Sequence, residues 1–204
     1  MSEFQSWGEI AVWRKERRRA LMAARAALGA VQHRAKSGAI SGRLDAFLPA
    51  LQGGLVGIYW PIRHEFDPLP FARRFIAAGG AVALPVVIAL GKPLEFRRWT
   101  EASEMAKGVY DIPYPATGEA VAPAALIVPL LGFDDAGYRL GYGAGYYDRT
   151  FASFATKPLA LGVGFALGRL PTIYPQPHDV PMDHVVTEEG AYDRAAGRLV
   201  PAEA

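Results

Sequence analysis

The sequence predicts an α/β fold with three layers, in which a mostly parallel open sheet carries helices on both faces. Short apolar segments bounded by Gly and Pro alternate with helical patterns along the chain, as strands and helices do in layered α/β proteins. The 204 residues, 51% of them hydrophobic and 21% charged, also suit one globular core. We therefore expect residues 1–204 to form a single domain.

The first half of the chain begins with two helical patterns and then alternates. Residues 9–28, within a basic segment 1–30, are rich in Ala, Arg and Leu, which favour helix. Ser37 stands where it would cap a second helix. Asp67-Pro68 is the start signal of a third helix, which Gly79-Gly80 ends. The elements expected up to residue 99 are helices at 9–28, 37–48 and 68–78, and strands at 54–60, 81–88 and 94–99.

The second half adds two irregular features to this alternation. A glycine-rich segment, 129–150, overlaps the end of an apolar strand, and a Pro-rich loop covers residues 168–184. Irregular loops of that length in compact domains are often functional. The elements expected here are strands at 124–130 and 159–165, a helix at 146–154 and a short terminal strand at 185–187.

Composition and charge narrow the classes of protein. The 22 Lys and Arg residues against 20 Asp and Glu give a net charge of +2, too weak a bias to argue for a nucleic-acid-binding protein. No apolar stretch reaches the roughly 18 residues of a membrane span, and the basic N-terminus lacks the apolar core of a secretory signal. The absence of cysteine excludes disulfides and thiolate metal sites and is compatible with a reducing cytosol.

The N-terminal helix carries a stripe of arginines. At about 100° per residue, Arg14, Arg18 and Arg25 fall on a narrow stripe along the edge of its apolar face. That face is formed by Ile10, Leu21, Ala24 and Leu28. The stripe is open to two interpretations: a solvated basic face, or side chains that reach over whatever the helix packs against.

The most informative motif is GFDDAGYRLGYGAGYYDR, residues 132–149. Gly141, Gly143 and Gly145 let the backbone approach an anion, and a helix that begins just after them adds its positive dipole end. Arg139 has the bidentate geometry that suits phosphate, and Asp148 could hold Mg²⁺ beside it. The spacing is neither that of a Walker A loop nor that of a Rossmann fingerprint. The alternative is that the glycines only make a tight turn.

The run from Pro129 to Asp148 closely resembles the signature of 5-formyltetrahydrofolate cyclo-ligases, also called methenyltetrahydrofolate synthetases. The resemblance extends over nearly the whole chain. Its other parts are the basic N-terminal helix, Tyr59-Trp60-Pro61 with Glu65, Leu84-Pro85-Val86, and the closing segment 178–188. It implies that the chain uses ATP and magnesium to convert 5-formyltetrahydrofolate into 5,10-methenyltetrahydrofolate, with ADP and phosphate as the other products.

The resemblance also implies roles for individual residues. The ATP-binding residues would be Arg14, Arg18, Arg139, Leu140, Gly141, Tyr142, Gly143, Ala144, Gly145, Tyr146 and Tyr147. The folate-binding residues would be Trp60, Glu65, Tyr142, Gly143, Ala144, Gly145 and Tyr146. Arg139 and Tyr146 would be catalytic, and Asp148 and Asp179 would be associated with magnesium. Several of these and neighbouring residues also have a purely structural interpretation. It is capping for Glu65 and Asp67, packing for Trp60, Tyr146 and Tyr147, and a simple turn for His178-Asp179.

Two positions depart from the family pattern, since Arg14 and Ala144 stand where the family usually or often has lysine. They motivate the alternative of a protein with the same fold that binds nucleotide but acts on another substrate. A second alternative is a nucleic-acid-binding module that uses the basic N-terminal helix. The expected partners are ATP and 5-formyltetrahydrofolate, polyglutamylated or not, with no nucleic acid and no membrane. We expect a cytoplasmic monomer.

Overall fold

The computed structural model describes residues 6–202, so residues 1–5 of the predicted basic segment lie outside the described part. Ser6 and Glu9 cap the first helix reciprocally, because the Ser6 Oγ accepts from the Glu9 N–H and the Glu9 carboxylate accepts from the Ser6 N–H. The α-helices of residues 6–202 are α1 Trp7–Ala26, α2 Ala30–Leu44, α3 Leu48–Leu51, α4 Leu69–Ala77 and α5 Tyr146–Ser153. Short 3-10 helices occur at Asp45–Phe47, Val109–Asp111 and Ala166–Gly168.

The strands form one large sheet and two small ones. They are β1 Leu55–Gly57, β2 Ala81–Val86, β3 Glu95–Trp99, β4 Met105–Lys107, β5 Pro113–Pro115, β6 Ala125–Pro129, β7 Gly132–Asp134, β8 Arg139–Leu140, β9 Leu159–Val163, β10 Arg169–Leu170, β11 His184–Val186, β12 Ala191–Ala195 and β13 Arg198–Pro201. The large sheet has the order β13-β12-β11-β9-β6-β1-β2-β3. Its five central strands, from β11 to β2, are parallel, and its two ends are antiparallel.

Helices cover both faces of the large sheet, which confirms the predicted fold class. Successive residues of a strand point to opposite faces, and β6 supplies both cores in this way. Ile127 belongs to the cluster that includes Ile40 of α2 and Phe71 of α4. Leu126 belongs to the other cluster, which includes Phe151 of α5. The parallel strands are apolar on both sides because both faces are covered.

The predicted second helix, 37–48 with Ser37 as its cap, is wrong at its start. α2 begins at Ala30 after the N-cap Gly29, and Ser37 lies inside the helix with its buried Oγ unpaired. Residues 30–36 contain good helix formers and no breaker, so nothing stops the helix from extending back to Gly29. Ile40 and Leu44, one turn apart and fully buried, fix the face that packs on the sheet.

The strand predicted at 185–187 is not the terminal one. β11 is followed by the antiparallel hairpin of β12 and β13, whose two-residue turn is Ala196-Gly197. Both turn residues have positive φ, 48° and 80°, as a type I′ turn requires. The usual sequence signal for that turn is Asn-Gly or Asp-Gly, and Ala-Gly lacks it.

The loop predicted at 168–184 is irregular except at its start, where β10 pairs with β7, and at its last residue, His184, which begins β11. The buried Asp134 carboxylate accepts from the Ile173 N–H at 3.0 Å and anchors the loop to β7. α1 packs over the same region, because Leu21 clusters with Leu131, Leu140 and Ile173. No helix in residues 6–202 is long and apolar enough to cross a membrane.

Candidate active site at the glycine loop

The chain that leaves the carboxyl ends of β1 and β6 builds the candidate site. After β1 it forms the turn that carries Glu65, and after β6 it passes through β7 and β8 into the glycine loop, residues 141–145. Ligands of open α/β sheets bind outside the carboxyl ends of the strands, often where neighbouring connections diverge. The glycine loop leads directly into α5.

The glycine loop adopts a backbone conformation that depends on glycine. At Gly143 φ is 97° and at Gly145 it is 64°, and side chains rarely tolerate such values. Gly145 is the N-cap of α5 and has no side chain to accept from the first N–H groups of that helix. Those donors and the positive end of the helix dipole make the loop suited to an anion.

The arginine stripe of α1 lies across this loop. The Arg18 Nε donates to the Gly141 carbonyl at 2.8 Å, and the Arg25 Nη2 donates to the Tyr142 hydroxyl at 2.5 Å. Arg14 and Arg25 are buried. Burial and the neighbouring Arg14 lower the pKa of Arg18. Of the two interpretations of the stripe, the solvated face is wrong, because these side chains reach over the glycine loop.

Arg14 pairs with Asp179, the first of two arginine–aspartate pairs at the site. The Arg14 Nη2 lies 2.5 Å from the Asp179 Oδ2, and the guanidinium also donates to the carbonyls of Ile173 and Tyr174. Both side chains are more than 90% buried, with 6% and 9% exposed. Burial by itself would raise the pKa of Asp179, but hydrogen bonds from Arg14 and from the Gln176 N–H outweigh it and lower that pKa.

Arg139 and Asp148 form the second pair. The Arg139 Nη2 lies 2.8 Å from the Asp148 Oδ2, and the Val180 N–H donates to the Asp148 Oδ1 at 3.3 Å. The Arg139 guanidinium lies over the Tyr147 ring, 5.2 Å from its centroid, and its buried Nε has no hydrogen-bond partner. The pair is therefore joined to the Asp179 segment through one backbone N–H.

Glu65 is linked to the glycine loop by Tyr142. The Tyr142 hydroxyl donates to the Glu65 Oε1 at 2.7 Å, and the Ile62 N–H donates to the Oε2 at 2.9 Å. Burial raises the pKa of Glu65, while these hydrogen bonds and Arg25 act in the opposite direction. Burial also raises the pKa of Tyr142, so the hydroxyl keeps its proton. Two residues that lie 77 positions apart in the chain thus meet in one hydrogen bond.

The remaining candidates lie around this centre and take part in packing or capping. Trp60 is half-buried against the core cluster on the α2 and α4 face, and Tyr147 packs against the opposite cluster. The Tyr146 ring lies under the Arg149 guanidinium, at 5.4 Å. The Asp67 carboxylate accepts from the Leu69 N–H, the first of α4, at 2.9 Å, although the N-cap residue itself is Pro68 and not Asp67 as predicted.

Three comparisons with known proteins agree. The model of the 5-formyltetrahydrofolate cyclo-ligase family matches residues 10–188. The cyclo-ligase of Mycolicibacterium smegmatis is 31% identical over 145 residues, which are 67% of this chain and 75% of that protein. The cyclo-ligase of Escherichia coli K12 is 30% identical over 166 residues, 74% of this chain and 87% of that one. The chain belongs to the 5-formyltetrahydrofolate cyclo-ligase family.

Solved cyclo-ligase structures share the fold. The 5,10-methenyltetrahydrofolate synthetase of Aquifex aeolicus matches with a TM-score of 0.77 at 28% identity and covers 93% of this chain and 97% of its own. The synthetase of Mycoplasma pneumoniae matches with a TM-score of 0.71 at 21% identity and covers 86% of this chain and 98% of its own. The resemblance inferred from residues 129–148 is therefore confirmed.

Sequence reasoning left some side chains of this cyclo-ligase without a role at the site. Arg25 belongs to the stripe, and its spacing of seven residues from Arg18 is the signal that places both side chains on one side of the helix. Arg149 donates to the Ala144 carbonyl and covers the loop from the α5 side. Arg63 lies over the Tyr142 ring, 5.2 Å from its centroid. No sequence pattern indicates the contacts of Arg149 and Arg63.

Proposed function

We propose that this member of the cyclo-ligase family uses ATP to convert 5-formyltetrahydrofolate into 5,10-methenyltetrahydrofolate at the glycine loop. The observation that carries the proposal is the hydrogen bond between Tyr142 and Glu65. It joins a loop suited to phosphate to a buried carboxylate suited to the N–H groups of a heterocycle. A nucleotide and a folate could therefore meet at one place.

The chemistry explains why the site has charges and no nucleophilic side chain. The formyl carbon on N-5 is a poor electrophile, because the nitrogen donates into the carbonyl. Transfer of the γ-phosphoryl group of ATP to the formyl oxygen forms an O–P bond and releases ADP. The N-10 amine then attacks the activated carbon, and phosphate leaves with the former formyl oxygen. Positioning and charge stabilisation dominate such phosphoryl transfers.

The phosphate end of the site would use the glycine loop and its arginines. Arg139 has unused donors next to the loop, and Arg18 lies across it. We assign catalytic roles to Arg139 and Tyr146, the first by stabilising developing charge and the second as the first residue of α5 beside the loop. The proposed ATP-binding set is Arg14, Arg18, Arg139, Leu140, Gly141, Tyr142, Gly143, Ala144, Gly145, Tyr146 and Tyr147.

Asp148 and Asp179 would hold magnesium beside the phosphates. No group of three His, Cys, Asp or Glu in residues 6–202 could hold a metal ion. Magnesium in nucleotide sites is bound by one or two carboxylates, with phosphate oxygens and water as its other ligands. The Val180 N–H on Asp148 brings the two carboxylate-bearing segments together. Magnesium there would neutralise charge on the phosphate oxygens.

The folate end would use Glu65 for the polar edge of the pterin ring. Both carboxylate oxygens already accept one hydrogen bond from the protein, and each retains acceptor capacity for a ligand N–H. Trp60 follows β1 on the same segment and would line the pocket with its exposed part. The proposed folate-binding set is Trp60, Glu65, Tyr142, Gly143, Ala144, Gly145 and Tyr146.

We further propose that residues 1–204 form one domain and that the protein acts as a cytoplasmic monomer without nucleic acid. The eight-stranded sheet extends from β1 to β13 and supports the single domain. Sedimentation at enzyme concentrations would test the monomer, and a dimer would contradict it.

The reaction is tested by following the near-ultraviolet absorbance of 5,10-methenyltetrahydrofolate. Product should form only when 5-formyltetrahydrofolate, ATP and magnesium are present together. The controls omit each component in turn and replace ATP with a non-hydrolysable analogue. Equal turnover without ATP would contradict the proposal.

Ala144 and Arg14 favour one further candidate, a family member that has kept nucleotide binding but acts on another substrate. Ala144 brings no charge to the tip of the loop, and Arg14 is engaged by Asp179. This candidate predicts ATP binding by calorimetry together with no methenyl product. Product formation at a normal rate excludes it.

A further inference from the structure

Arg25 is buried at the meeting point of α1, the glycine loop and the turn that carries Glu65, and neither the family resemblance nor the comparisons assign it a role. Its Nη2 donates to the Tyr142 hydroxyl at 2.5 Å, and its Nε donates to the Arg63 carbonyl at 3.1 Å. The Arg25 side chain is buried. A buried guanidinium is retained only where its donors are well used.

We infer that Arg25 is a positioning residue for folate: it fixes the Tyr142 hydroxyl on Glu65, so that this carboxylate presents only acceptor lone pairs to the N–H edge of a pterin ring. The inference rests on the proposed function. Arg25 would act through Tyr142 and Glu65 and would not itself touch the substrate.

The direction of the hydrogen bonds supports this role. A guanidinium can only donate, so the Tyr142 oxygen must accept from Arg25. The single hydroxyl proton of Tyr142 is then free to point at the Glu65 Oε1, which lies at 2.7 Å. Without Arg25 the hydroxyl could rotate or accept from other groups, and its bond to Glu65 would no longer be fixed.

Arg25 also holds the backbone that presents Glu65. Arg63 and His64, just before it, have positive φ values of 49° and 60°. Such values are strained for residues other than glycine and persist only where the surroundings enforce them. The bond from Arg25 to the Arg63 carbonyl, together with the contact of the His33 ring with the His64 carbonyl at 3.1 Å, supplies that restraint.

Charge gives the third reason. The groups that face Glu65 are Arg25 of α1, Tyr142 of the glycine loop, Arg63 of its own turn, the buried Tyr59 and the partly buried Tyr147. Burial raises the pKa of Glu65, whereas Arg25 and Arg63 lower it. Removal of Arg25 would therefore raise this pKa further, and a protonated Glu65 would offer an O–H where the pterin edge needs an acceptor.

The experiment measures kcat/KM for 5-formyltetrahydrofolate and for ATP from about pH 4, near the ordinary glutamate pKa, to about pH 8. Arg25→Met should lower kcat/KM for the folate by at least about tenfold through KM, with a much smaller change for ATP. The acid limb of its folate profile should move to higher pH. Arg25→Lys should recover part of both effects.

Three further variants keep the outcome clear. Arg19→Met removes an exposed arginine from the same helix and serves as the matched control. Tyr142→Phe should lower kcat/KM for the folate as Arg25→Met does. Glu65→Gln should remove the acid limb of the folate profile both in the wild-type protein and in Arg25→Met. Thermal unfolding identifies any variant that fails to fold; for such a variant, the same profiles of Arg25→Lys and Tyr142→Phe decide.

An Arg25→Met profile that overlays the wild type, or equal losses for ATP and folate, would overturn the inference. Those results are distinct from failure of the proposed function, in which the wild-type protein itself makes no methenyl product. In that case, calorimetric binding of 5-formyltetrahydrofolate to wild type and Arg25→Met decides, and equal affinities across the pH range would again overturn it.

Discussion

The two arginine–aspartate pairs of the site look alike in sequence terms but differ in how fully the protein uses their hydrogen-bonding groups. Arg14 donates to both oxygens of Asp179 and to two backbone carbonyls, so each of its three nitrogens has a partner. Arg139 makes one hydrogen bond, to Asp148, and its buried Nε has none. The first pair is saturated, and the second is not.

The difference indicates which pair has hydrogen-bonding capacity to spare for a ligand and which would have to give up existing contacts to bind one. The Arg14–Asp179 pair fastens the 168–184 loop to α1, and breaking it would leave a buried charge without its partner. The Arg139–Asp148 pair retains donor capacity beside the glycine loop, where a phosphate could take it up. An unsatisfied buried donor in a native protein is costly and therefore often marks a functional group.

The largest effect on turnover is expected from Asp148→Asn. Asparagine keeps the shape of the side chain and can still accept from the Val180 N–H, but it loses the charge that magnesium needs. If Asp148 holds the metal, kcat should fall by at least about 100-fold and the magnesium requirement should rise. If Asp148 only stabilises the dipole of α5, the free energy of unfolding of the variant should fall by about 0.3–1 kcal/mol and its turnover should stay near normal.

Magnesium titrations of wild type and Asp148→Asn separate these two roles, and we expect the metal role. Melting temperatures measured alongside serve as the control for folding. Overlaid titration curves would mean that Asp148 does not bind the metal. The difference between the two pairs would then no longer indicate a functional role for Arg139–Asp148.

Asp179→Ala should have the largest effect on stability. It leaves the Arg14 guanidinium buried without its counter-charge, and loss of one partner of a buried pair costs about 3–5 kcal/mol. Urea unfolding monitored by circular dichroism measures the difference. Asp148→Ala is the matched control and should cost less, because Asp148 is more exposed and makes one contact with its arginine. Equal costs for the two variants would remove the structural distinction between the pairs.

The core of the fold could be predicted from sequence because its signals are local. β1, β2, β6 and β9 are apolar runs, and α1, α4 and α5 carry start and stop residues that fix their ends to within about two residues. α2 has no capping side chain, so its start was placed seven residues too late, and the β12–β13 turn has no Asn-Gly, so that hairpin was not predicted. No local signal marks the start of α2 or the turn of the hairpin.

The site could be predicted only in part, for the same reason. The glycine loop with Arg139 and Asp148 is one continuous motif, and its conformation follows from the glycines. The partners of Arg14 lie about 160 residues away, and Asp179 lies 165 residues away, so the tertiary fold alone decides which arginine meets which aspartate. The tertiary fold therefore also decides that the hydrogen-bonding groups of Arg14 are all used, whereas some of those of Arg139 are not.

Arg139→Ala should reduce kcat/KM for ATP by a factor that corresponds to about 1.5–3 kcal/mol, the value of a hydrogen bond to a charged group. Binding of 5-formyltetrahydrofolate without nucleotide should change less, and the free energy of unfolding should change less than in Asp179→Ala. Steady-state kinetics with varied ATP measures the first quantity. Wild-type kcat/KM for ATP would show that the unused donors of Arg139 have no role in phosphate binding.

The smallest effect concerns the pH dependence of stability, and it isolates the saturated pair. The pKa of Asp179 is lowered in the folded protein, so the unfolded chain binds its proton more readily. Asp179 therefore stabilises the fold fully above its unfolded pKa of about 3.9, and this contribution is lost as the pH falls through the lower, folded pKa. Between the folded and the unfolded pKa of Asp179, the free energy of unfolding is therefore expected to rise with pH.

Asp179→Asn removes this titration and keeps the shape of the side chain. Its unfolding free energy should lie below that of wild type at neutral pH, and the difference should shrink as the pH falls through the acid window. The effect is small because one carboxylate supplies it, and half-exposed carboxylates elsewhere on the surface titrate in both proteins and cancel. Urea midpoints at several pH values give the difference directly. A constant difference across the window would mean that Asp179 gains nothing from its charge, and that Arg14 is held by its two backbone carbonyls alone.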